Sequence, residues 1–259
     1  MSSIQFEPDV EIRCRDYTIG CIGAGFIMAD VHLAAYADAG FKVAAIASRT
    51  PQNARATAER WKIPKVHDTP EELISDPGVD IIDIAYPPHL QPELIRLAVR
   101  QPHIKGILAQ KPITTSYEEA LEIVKLCESE GKLLSVNQNM RYDQSMRVLK
   151  QILDAGLLGE AVFAEIDMHA IPHWQPFLDD YDRLTLLNMS VHHLDALRFL
   201  FGEVADIYTA TRPDPHRAGY KHIDGICVST LNFESGVSGV CVDDIYASPV
   251  SENFESDLH

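Results

Sequence analysis

Three features of this chain have residue types and spacings that could do chemistry. They are the turn Gly23-Ala24-Gly25, Lys111 after an apolar run, and Asn188, His192 and Asp195 at intervals of four and three. A Gly-x-Gly turn between a strand and a helix lets the backbone approach a pyrophosphate at the helix N-terminus. A lysine and a histidine can polarise a hydroxyl and move its proton. On spacing alone, Lys111 is better explained as an ordinary exposed charge, and His192 equally well as a core histidine.

The first part of the chain alternates apolar strand patterns with helix patterns, which predicts a parallel sheet with helices on both faces. The predicted strands are Tyr17–Ile22, Lys42–Ala47, Asp80–Ala85, Ile104–Ala109 and Leu133–Val136. The predicted helices are Ala29–Ala39, Pro51–Trp61, Gln91–Val99 and Ser116–Glu130. We interpret residues 1–140 as a Rossmann-type, doubly wound α/β domain that binds a dinucleotide.

After about Arg141 strands follow one another without intervening helices, which predicts an open, mostly antiparallel sheet. The predicted strands are Ala161–Ala170, Ala205–Thr211, Ile223–Phe233 and Val237–Asp244, and the predicted helices are Gln144–Ala155 and Leu186–Leu200. A loop rich in proline and aromatic residues covers Ile171–Tyr181. Residues 141–259 are therefore predicted to form an α+β domain.

The end of the second strand favours NADP over NAD. An acidic residue there would bind the ribose 2′-hydroxyl of NAD, but the chain has Ser48, Arg49 and Thr50. The two hydroxyls can donate to a 2′-phosphate and the guanidinium can neutralise it; a solvated surface arginine is the alternative. Met28 replaces the third small residue of the motif, and we expect it to hold the first helix slightly away from the strand.

Composition excludes several classes of partner. The formal net charge of −16 argues against nucleic acid or an anionic membrane surface. Five scattered cysteines without a C-x-x-C pair predict reduced thiols in a cytoplasmic protein. The N-terminus is polar, so we do not expect a signal peptide, and no apolar run approaches the ~20 residues of a membrane span.

The order and spacing of several motifs resemble the Gfo/Idh/MocA (glucose–fructose oxidoreductase/inositol dehydrogenase) family over nearly the whole chain. The motifs are Gly23-Ala-Gly25, Tyr86-Pro-Pro-His89, Gln110-Lys-Pro112, Val136-Asn-Gln-Asn139-Met-Arg141-Tyr142, Gly159-Glu160, Asn188-x-x-x-His192-x-x-Asp195, Asp224-Gly225 and Glu234-Ser-Gly236. The resemblance implies an oxidoreductase that passes a hydride between nicotinamide and a carbinol carbon of a sugar or polyol.

By that resemblance Lys111 contacts the substrate hydroxyl and the nicotinamide ribose, and His192 is the general acid/base. The family pattern has an aspartate where Asn188 stands and a glutamate where Gln110 stands, so both carboxylates are missing here. The catalytic set is thus Lys111, His192 and Asn188. Predicted cofactor contacts are Gly23, Gly25, Phe26, Ile27, Ser48, Arg49, Thr50, Tyr86, Pro87, His89, Gln110 and Asn139, and predicted substrate contacts are Arg141, His173, Trp174 and His193.

Several expectations remain open at this point. No metal is predicted, because Ile171-Pro172 breaks the spacing of His169 and His173 and no cysteine or carboxylate completes a set. Proteins of this family often pair through an open sheet face, so we expect a dimer or tetramer. They also continue beyond the point where this chain stops, so later strands are expected to be absent. The alternatives to a dehydrogenase are a glycoside-cleaving enzyme that retains its cofactor, and a non-catalytic NADP or sugar sensor.

Overall fold

The structure, a computed structural model, describes residues 5–169, 181–213 and 222–244. The described residues form two compact units. One unit covers Glu11–Asn137, and the other combines residues 5–10 with the described residues from Gln138 onwards.

The first unit is built on a parallel sheet of six strands in the order β3-β2-β1-β4-β5-β6. The strands are β1 Thr18–Ile22, β2 Lys42–Ala47, β3 Lys65–Val66, β4 Ile81–Ile84, β5 Gly106–Gln110 and β6 Leu133–Asn137. Every pairing in this sheet is parallel. This confirms the predicted Rossmann-type fold class; β3 was not predicted, because two residues leave no periodic pattern to detect.

Within Glu11–Asn137 the first unit contains five α-helices, two of which begin at a side-chain cap. They are α1 Leu33–Ala39, α2 Pro51–Trp61, α3 Pro70–Ile74, α4 Gln91–Val99 and α5 Tyr117–Ser129, and α1 continues from a π-helical segment, Ile27–His32. At the start of α5 the Ser116 hydroxyl accepts the Glu119 N–H at 3.3 Å, the bond of an N-cap residue. The short helix α3 was not predicted, although the Thr69 hydroxyl caps it in the same way by accepting the Glu72 N–H at 3.2 Å.

Apolar residues from both faces of the parallel sheet make the core of this unit. Ile22, Ile82 and Ile84 are fully buried in one cluster. On the other side Met28 is fully buried and packs with Ile19 and Cys21. The large residue at the third position of the glycine motif is thus a core residue, and it lies in the π-helical segment, whose turns are wider than those of an α-helix.

The second unit contains a mixed sheet of four strands in the order β7-β10-β9-β8. The elements are α6 Gln144–Asp154, β7 Phe163–His169, α7 Val191–Phe201, β8 Val204–Arg212, β9 Ile226–Phe233 and β10 Ser238–Asp244, with a π-helical segment, Leu186–Ser190, before α7. Two of the three pairings are antiparallel and β10 pairs with β7 in parallel. The predicted α+β class with a mostly antiparallel sheet is confirmed. Leu197, Leu231 and Phe233 lie in its core.

Residues 5–10 belong with the second unit, whereas the sequence placed them in the first domain. The reason is a set of hydrogen bonds to α6. The Arg147 guanidinium donates to the Pro8 carbonyl at 2.8 Å, and the Gln151 amide donates to the Glu7 carbonyl at 2.8 Å.

Two expectations from composition can be compared with the described residues. All five cysteines lie within them, and each is a free thiol, as the sequence predicted. Among the described residues, no helix is both long enough and apolar enough to cross a membrane.

Candidate active site

Most of the predicted cofactor contacts lie at one edge of the parallel sheet. The turn at Gly23, the segments Ser48–Thr50 and Tyr86–His89, and Lys111 follow the carboxyl ends of β1, β2, β4 and β5, respectively. The strand order reverses between β1 and β4, and a reversal of this kind opens the crevice in which α/β sheets bind ligands. The first unit therefore brings these residues together, while Asn139 lies in a 3₁₀ turn of the second unit.

The two glycines of the turn have different roles. Gly23 has φ of 120°, and a Cβ on it would lie 2.7 Å from the Ala85 carbonyl oxygen. A Cβ on Gly25 would have no atom within 4 Å, and its neighbour Phe26 is 57% exposed. Gly23 is therefore required by the protein's own backbone, whereas Gly25 leaves open space at a helix start. That combination fits a bound dinucleotide pyrophosphate.

Arg49, at the end of β2, is held by Tyr86, which follows β4. The Arg49 N–H donates to the Tyr86 hydroxyl at 2.8 Å, and the guanidinium carbon lies 5.5 Å from the centre of the ring. Burial raises the pKa of Tyr86, so the phenol is neutral at physiological pH. The Arg49 guanidinium is thereby placed on an aromatic face while its residue stays exposed.

Lys111 is fixed by a residue that the sequence analysis did not anticipate. The Gln91 amide donates to the Gln110 carbonyl at 2.9 Å and to the Pro112 carbonyl at 3.0 Å, and its oxygen accepts the Gln110 N–H at 2.8 Å. The Lys111–Pro112 peptide is cis. Burial lowers the pKa of Lys111 to about 8, which brings the loss of its proton close to the physiological pH range.

A buried polar network joins the helix after the glycine turn to the sheet. Asp83 of β4 is fully buried and accepts from the Tyr36 hydroxyl at 2.7 Å. Its other contact is with Nδ1 of His32 at 2.8 Å, and Nε2 of His32 lies 2.9 Å from the Asn137 amide nitrogen. The network connects the first helix to β4 and β6. The sequence predicted the apolar pattern of these elements but not the polar network between them.

His192 and Asn188 lie in the second unit on one continuous helical segment. The polar stripe was predicted for a regular α-helix, but Leu186–Ser190 is π-helical and α7 begins only at Val191. The turns of the π segment are wider than those of an α-helix, and the shared face of Asn188 and His192 stays a prediction. His192 is 7% exposed and Asn188 is half-buried.

Asp224, which precedes β9, anchors the start of this segment. Its carboxylate accepts the Leu184 N–H at 2.7 Å and the Leu186 N–H at 2.9 Å. Two helix-start donors that would otherwise have no intrahelical partner are satisfied in this way. Asp224 is fully buried, so it sets where the segment that carries Asn188 and His192 begins.

Two predicted substrate contacts already have protein partners. The Arg141 guanidinium forms a two-pronged ion pair with Asp195, one branch of which is 2.8 Å, and lies over the ring of Phe199. His193 is 4% exposed and its Nδ1 contacts Asp243.

The Asp243 carboxylate is a centre of buried hydrogen bonds. It accepts from the Ser190 hydroxyl and the Cys241 thiol in addition to its contact with His193. Among the residues described, His193, Cys241 and Asp243 are the one group of three whose metal-ligating atoms lie within 4.8 Å of one another. Because His193 and Cys241 each hydrogen-bond to the Asp243 carboxylate, the arrangement is that of a satisfied buried carboxylate.

The last two predicted substrate contacts, His173 and Trp174, lie outside the described residues.

A Rossmann unit followed by a unit with an open mixed sheet is an architecture of two-domain oxidoreductases. The sequence profile for an oxidoreductase family with an NAD-binding Rossmann fold matches residues 17–138. The profile for the GFO/IDH/MocA C-terminal domain matches residues 146–253. The chain belongs to the Gfo/Idh/MocA family of oxidoreductases.

Several relatives are named as sugar or polyol dehydrogenases. A D-apiose dehydrogenase of Rhizobium rhizogenes is 27% identical over 232 residues, which cover 88% of this chain and 65% of the relative. An inositol 2-dehydrogenase of Saccharopolyspora erythraea is 31% identical over 227 residues, or 87% of this chain and 65% of the relative. The chain thus spans slightly less than two thirds of the length of these relatives.

Solved structures share the fold. An oxidoreductase from Agrobacterium radiobacter, crystallised with NAD⁺, L-tartaric acid and magnesium, superposes with a TM-score of 0.82 at 24% identity. The match covers 92% of this chain and 69% of that one. At this identity the likeness supports the architecture described above.

Proposed function

We propose that the protein is an NAD(P)-dependent oxidoreductase that interconverts a carbinol and a carbonyl group of a sugar or polyol. The observation that carries the proposal is Lys111, held at the carboxyl edge of the sheet that also carries the glycine turn, with its pKa lowered to about 8. The names of the relatives, D-apiose dehydrogenase and inositol 2-dehydrogenase, support a hydroxyl-rich substrate.

The roles follow from the chemistry of each side chain. A bound nicotinamide supplies the hydride acceptor or donor. Lys111 hydrogen-bonds the reacting hydroxyl and polarises it, and His192 takes the hydroxyl proton during oxidation and returns it during reduction. Asn188 carries no charge, so it orients the substrate without acting as a base. Arg141 and His193 have protein partners, and we now assign them to support the site.

The experiment is turnover of D-apiose and inositol with each cofactor, measured for wild type, Lys111→Ala and His192→Ala. We expect each substitution to lower kcat by about 10²–10⁴-fold, the usual contribution of general acid–base catalysis. Binding of the dinucleotide, measured in parallel, should persist in His192→Ala. Near-wild-type rates in both variants would contradict the assignment. Binding of sugar without turnover by the wild type would favour the sensor alternative.

We also propose that the cofactor is NADP rather than NAD. Ser48 and Thr50 are hydroxyl donors on either side of Arg49, and the guanidinium is a cation at the place where NAD enzymes carry a carboxylate. We expect NADPH to bind more tightly than NADH in a fluorescence titration.

The matched pair of variants for this proposal is Arg49→Ala and Arg100→Ala. Arg100 is also exposed, but it follows the C-terminal end of α4. Removing it therefore changes the net charge without changing the residues at the carboxyl ends of the strands. The preference for NADPH over NADH should fall about tenfold or more in Arg49→Ala, because one charge-assisted contact is lost. It should persist in Arg100→Ala. A preference for NADH, or an unchanged ratio in Arg49→Ala, would contradict the proposal.

We propose a cytoplasmic homo-oligomer, a dimer or tetramer, as the working form. Its support is the outer face of the second sheet, where the strand registers put Phe163, Tyr208 and Val228 on one side. These side chains are 56%, 71% and 38% exposed, and large apolar side chains exposed on one sheet face favour association with a second copy. A monomer mass by light scattering would contradict the oligomer.

A further inference from the structure

Gln91 is a fully buried glutamine whose side chain is directed away from its own helix. It is the first residue of α4, and the helix start has no side-chain cap. Instead the side-chain amide reaches residues 19 and 21 positions further along the chain, at the exit of β5. A buried amide that satisfies distant backbone groups, rather than the nearby N–H groups of its own helix, fixes that distant segment.

The three hydrogen bonds of Gln91 flank Lys111 on both sides. They engage the N–H and the carbonyl of Gln110 and the carbonyl of Pro112. The N–H of Lys111 itself donates to the Gln110 side-chain oxygen at 2.8 Å. The peptides before and after the lysine are therefore held in place, and with them the direction in which its Cα–Cβ bond points.

We propose that Gln91 is a positioning residue for the reaction, which acts by holding the backbone around Lys111 so that the amine meets the substrate hydroxyl. The inference rests on the role proposed for Lys111. Catalysis is sensitive to such placement, because a displacement of about 1 Å can cost on the order of 10²-fold in rate.

The same unit offers a matched control. The Lys132 ammonium donates to the carbonyls of Gln101 and Ile104 at 2.8 and 2.7 Å. These carbonyls precede β5, at the end of the strand opposite Lys111. Lys132→Met therefore removes side-chain donors from the backbone beside the same strand without touching the segment around Lys111.

The experiment compares Gln91→Met, the shorter but polar Gln91→Asn, and Lys132→Met. Turnover is measured with D-apiose and inositol, dinucleotide affinity by fluorescence, and thermal stability by calorimetry. The pH dependence of Lys111 acetylation by acetic anhydride is followed by mass spectrometry, which reports the lysine directly and needs no turnover.

We expect kcat to fall about 10- to 100-fold in Gln91→Met with little change in dinucleotide affinity. The midpoint of Lys111 acetylation should rise from about 8 towards about 10.4, the value of a solvated lysine. Lys132→Met should move neither quantity, even where it lowers stability as much.

Three results would overturn the proposal. The first is a fall in kcat no larger in the Gln91 variants than in Lys132→Met. The second is an unchanged acetylation midpoint in Gln91→Met. The third is failure of both Gln91 variants to fold while Lys132→Met folds, which would make Gln91 a residue of the fold alone. If Lys111→Ala were fully active, the proposed function would fail, but the acetylation midpoint would still show whether Gln91 sets the environment of Lys111.

Discussion

At the scale of single residues, the pKa of Lys111 depends on the residue that precedes it in the chain. Where the family pattern has a glutamate before the lysine, this chain has Gln110. A carboxylate there would raise the pKa of the lysine by attraction, whereas burial lowers it. The neutral glutamine does not oppose the effect of burial, so a fraction of Lys111 is uncharged near physiological pH.

A buried lysine of this kind should cost stability, and the cost should depend on pH. The folded-state pKa of about 8 lies below the unfolded value of about 10.4. The cost is therefore full below pH 8, where both states are charged, and fades as pH rises towards 10. We predict that Lys111→Met stabilises the protein at pH 7 and that this gain shrinks at pH 9.5, measured by urea unfolding at both values.

Lys125→Met is the control for that prediction, since it removes an exposed lysine from α5 of the same unit. It should change stability little and equally at the two pH values. A Lys111→Met variant that is less stable than wild type at pH 7, or a gain that grows with pH, would show that burial does not govern this lysine.

The sequence identified residue types at this scale better than it identified their partners. Lys111, Arg49 and the glycines could be selected from motifs, because their chemistry depends on their immediate neighbours in the chain. Gln91 and Asp243 could not, because each acts on segments far away in sequence. His193 shows the consequence: the sequence assigns it to the substrate, and the structure places Asp243 beside it.

At the scale of elements, the turn between β1 and the first helix contains two glycines with different functions. Gly23 is required by the backbone, and Gly25 leaves space for the proposed dinucleotide. Gly23→Ala should destabilise the first unit by about 1–3 kcal/mol, the cost of forcing a side chain into a disfavoured backbone region, because of its φ of 120° and the approach of the Ala85 carbonyl. Gly25→Ala should leave stability unchanged, because its Cβ meets no protein atom, and should weaken NADPH binding. Calorimetry and fluorescence titration measure the two effects.

The pair is informative because each variant controls the other. Equal losses of stability would mean that Gly25 is also a structural glycine. Unchanged NADPH affinity in a stable Gly25→Ala protein would mean that no pyrophosphate approaches the turn, and the dinucleotide site would have to be placed elsewhere.

Most elements could be predicted because each is long enough to show a hydrophobic periodicity. The elements that were not predicted are short or irregular. Strand β3 has two residues and helix α3 has five, so neither produces a hydrophobic repeat. The capping sequence Thr69-Pro70-Glu71-Glu72 was the available signal for α3. The π-helical segments Ile27–His32 and Leu186–Ser190 were predicted as α-helix, because apolar periodicity does not distinguish the two.

At the scale of the whole molecule, each unit has a core of its own. The clusters around Ile22 and Ile84 belong to Glu11–Asn137, and the cluster around Leu197 and Phe233 belongs to the other unit. Units with separate cores can respond separately to mutation and to ligand. A stability change should therefore be traceable to the unit in which it is made.

We predict that Asp243→Ala lowers the melting transition of the second unit only. It leaves His193, Ser190 and Cys241 buried without the carboxylate they contact, at a cost of about 1–3 kcal/mol for each unsatisfied group. NADPH should raise the transition of the first unit, since a ligand stabilises the unit that binds it. Differential scanning calorimetry with and without NADPH measures both shifts.

Asp206→Ala is the matched control, because Asp206 lies on β8 of the same sheet but is exposed, and its carboxylate accepts from the Asn232 amide. It should leave both transitions in place. A single transition that Asp243→Ala lowers and NADPH raises together would mean that the two cores unfold as one. The buried carboxylate would then support the dinucleotide-binding unit as well as its own, and substitutions around Asp243 should also weaken NADPH binding.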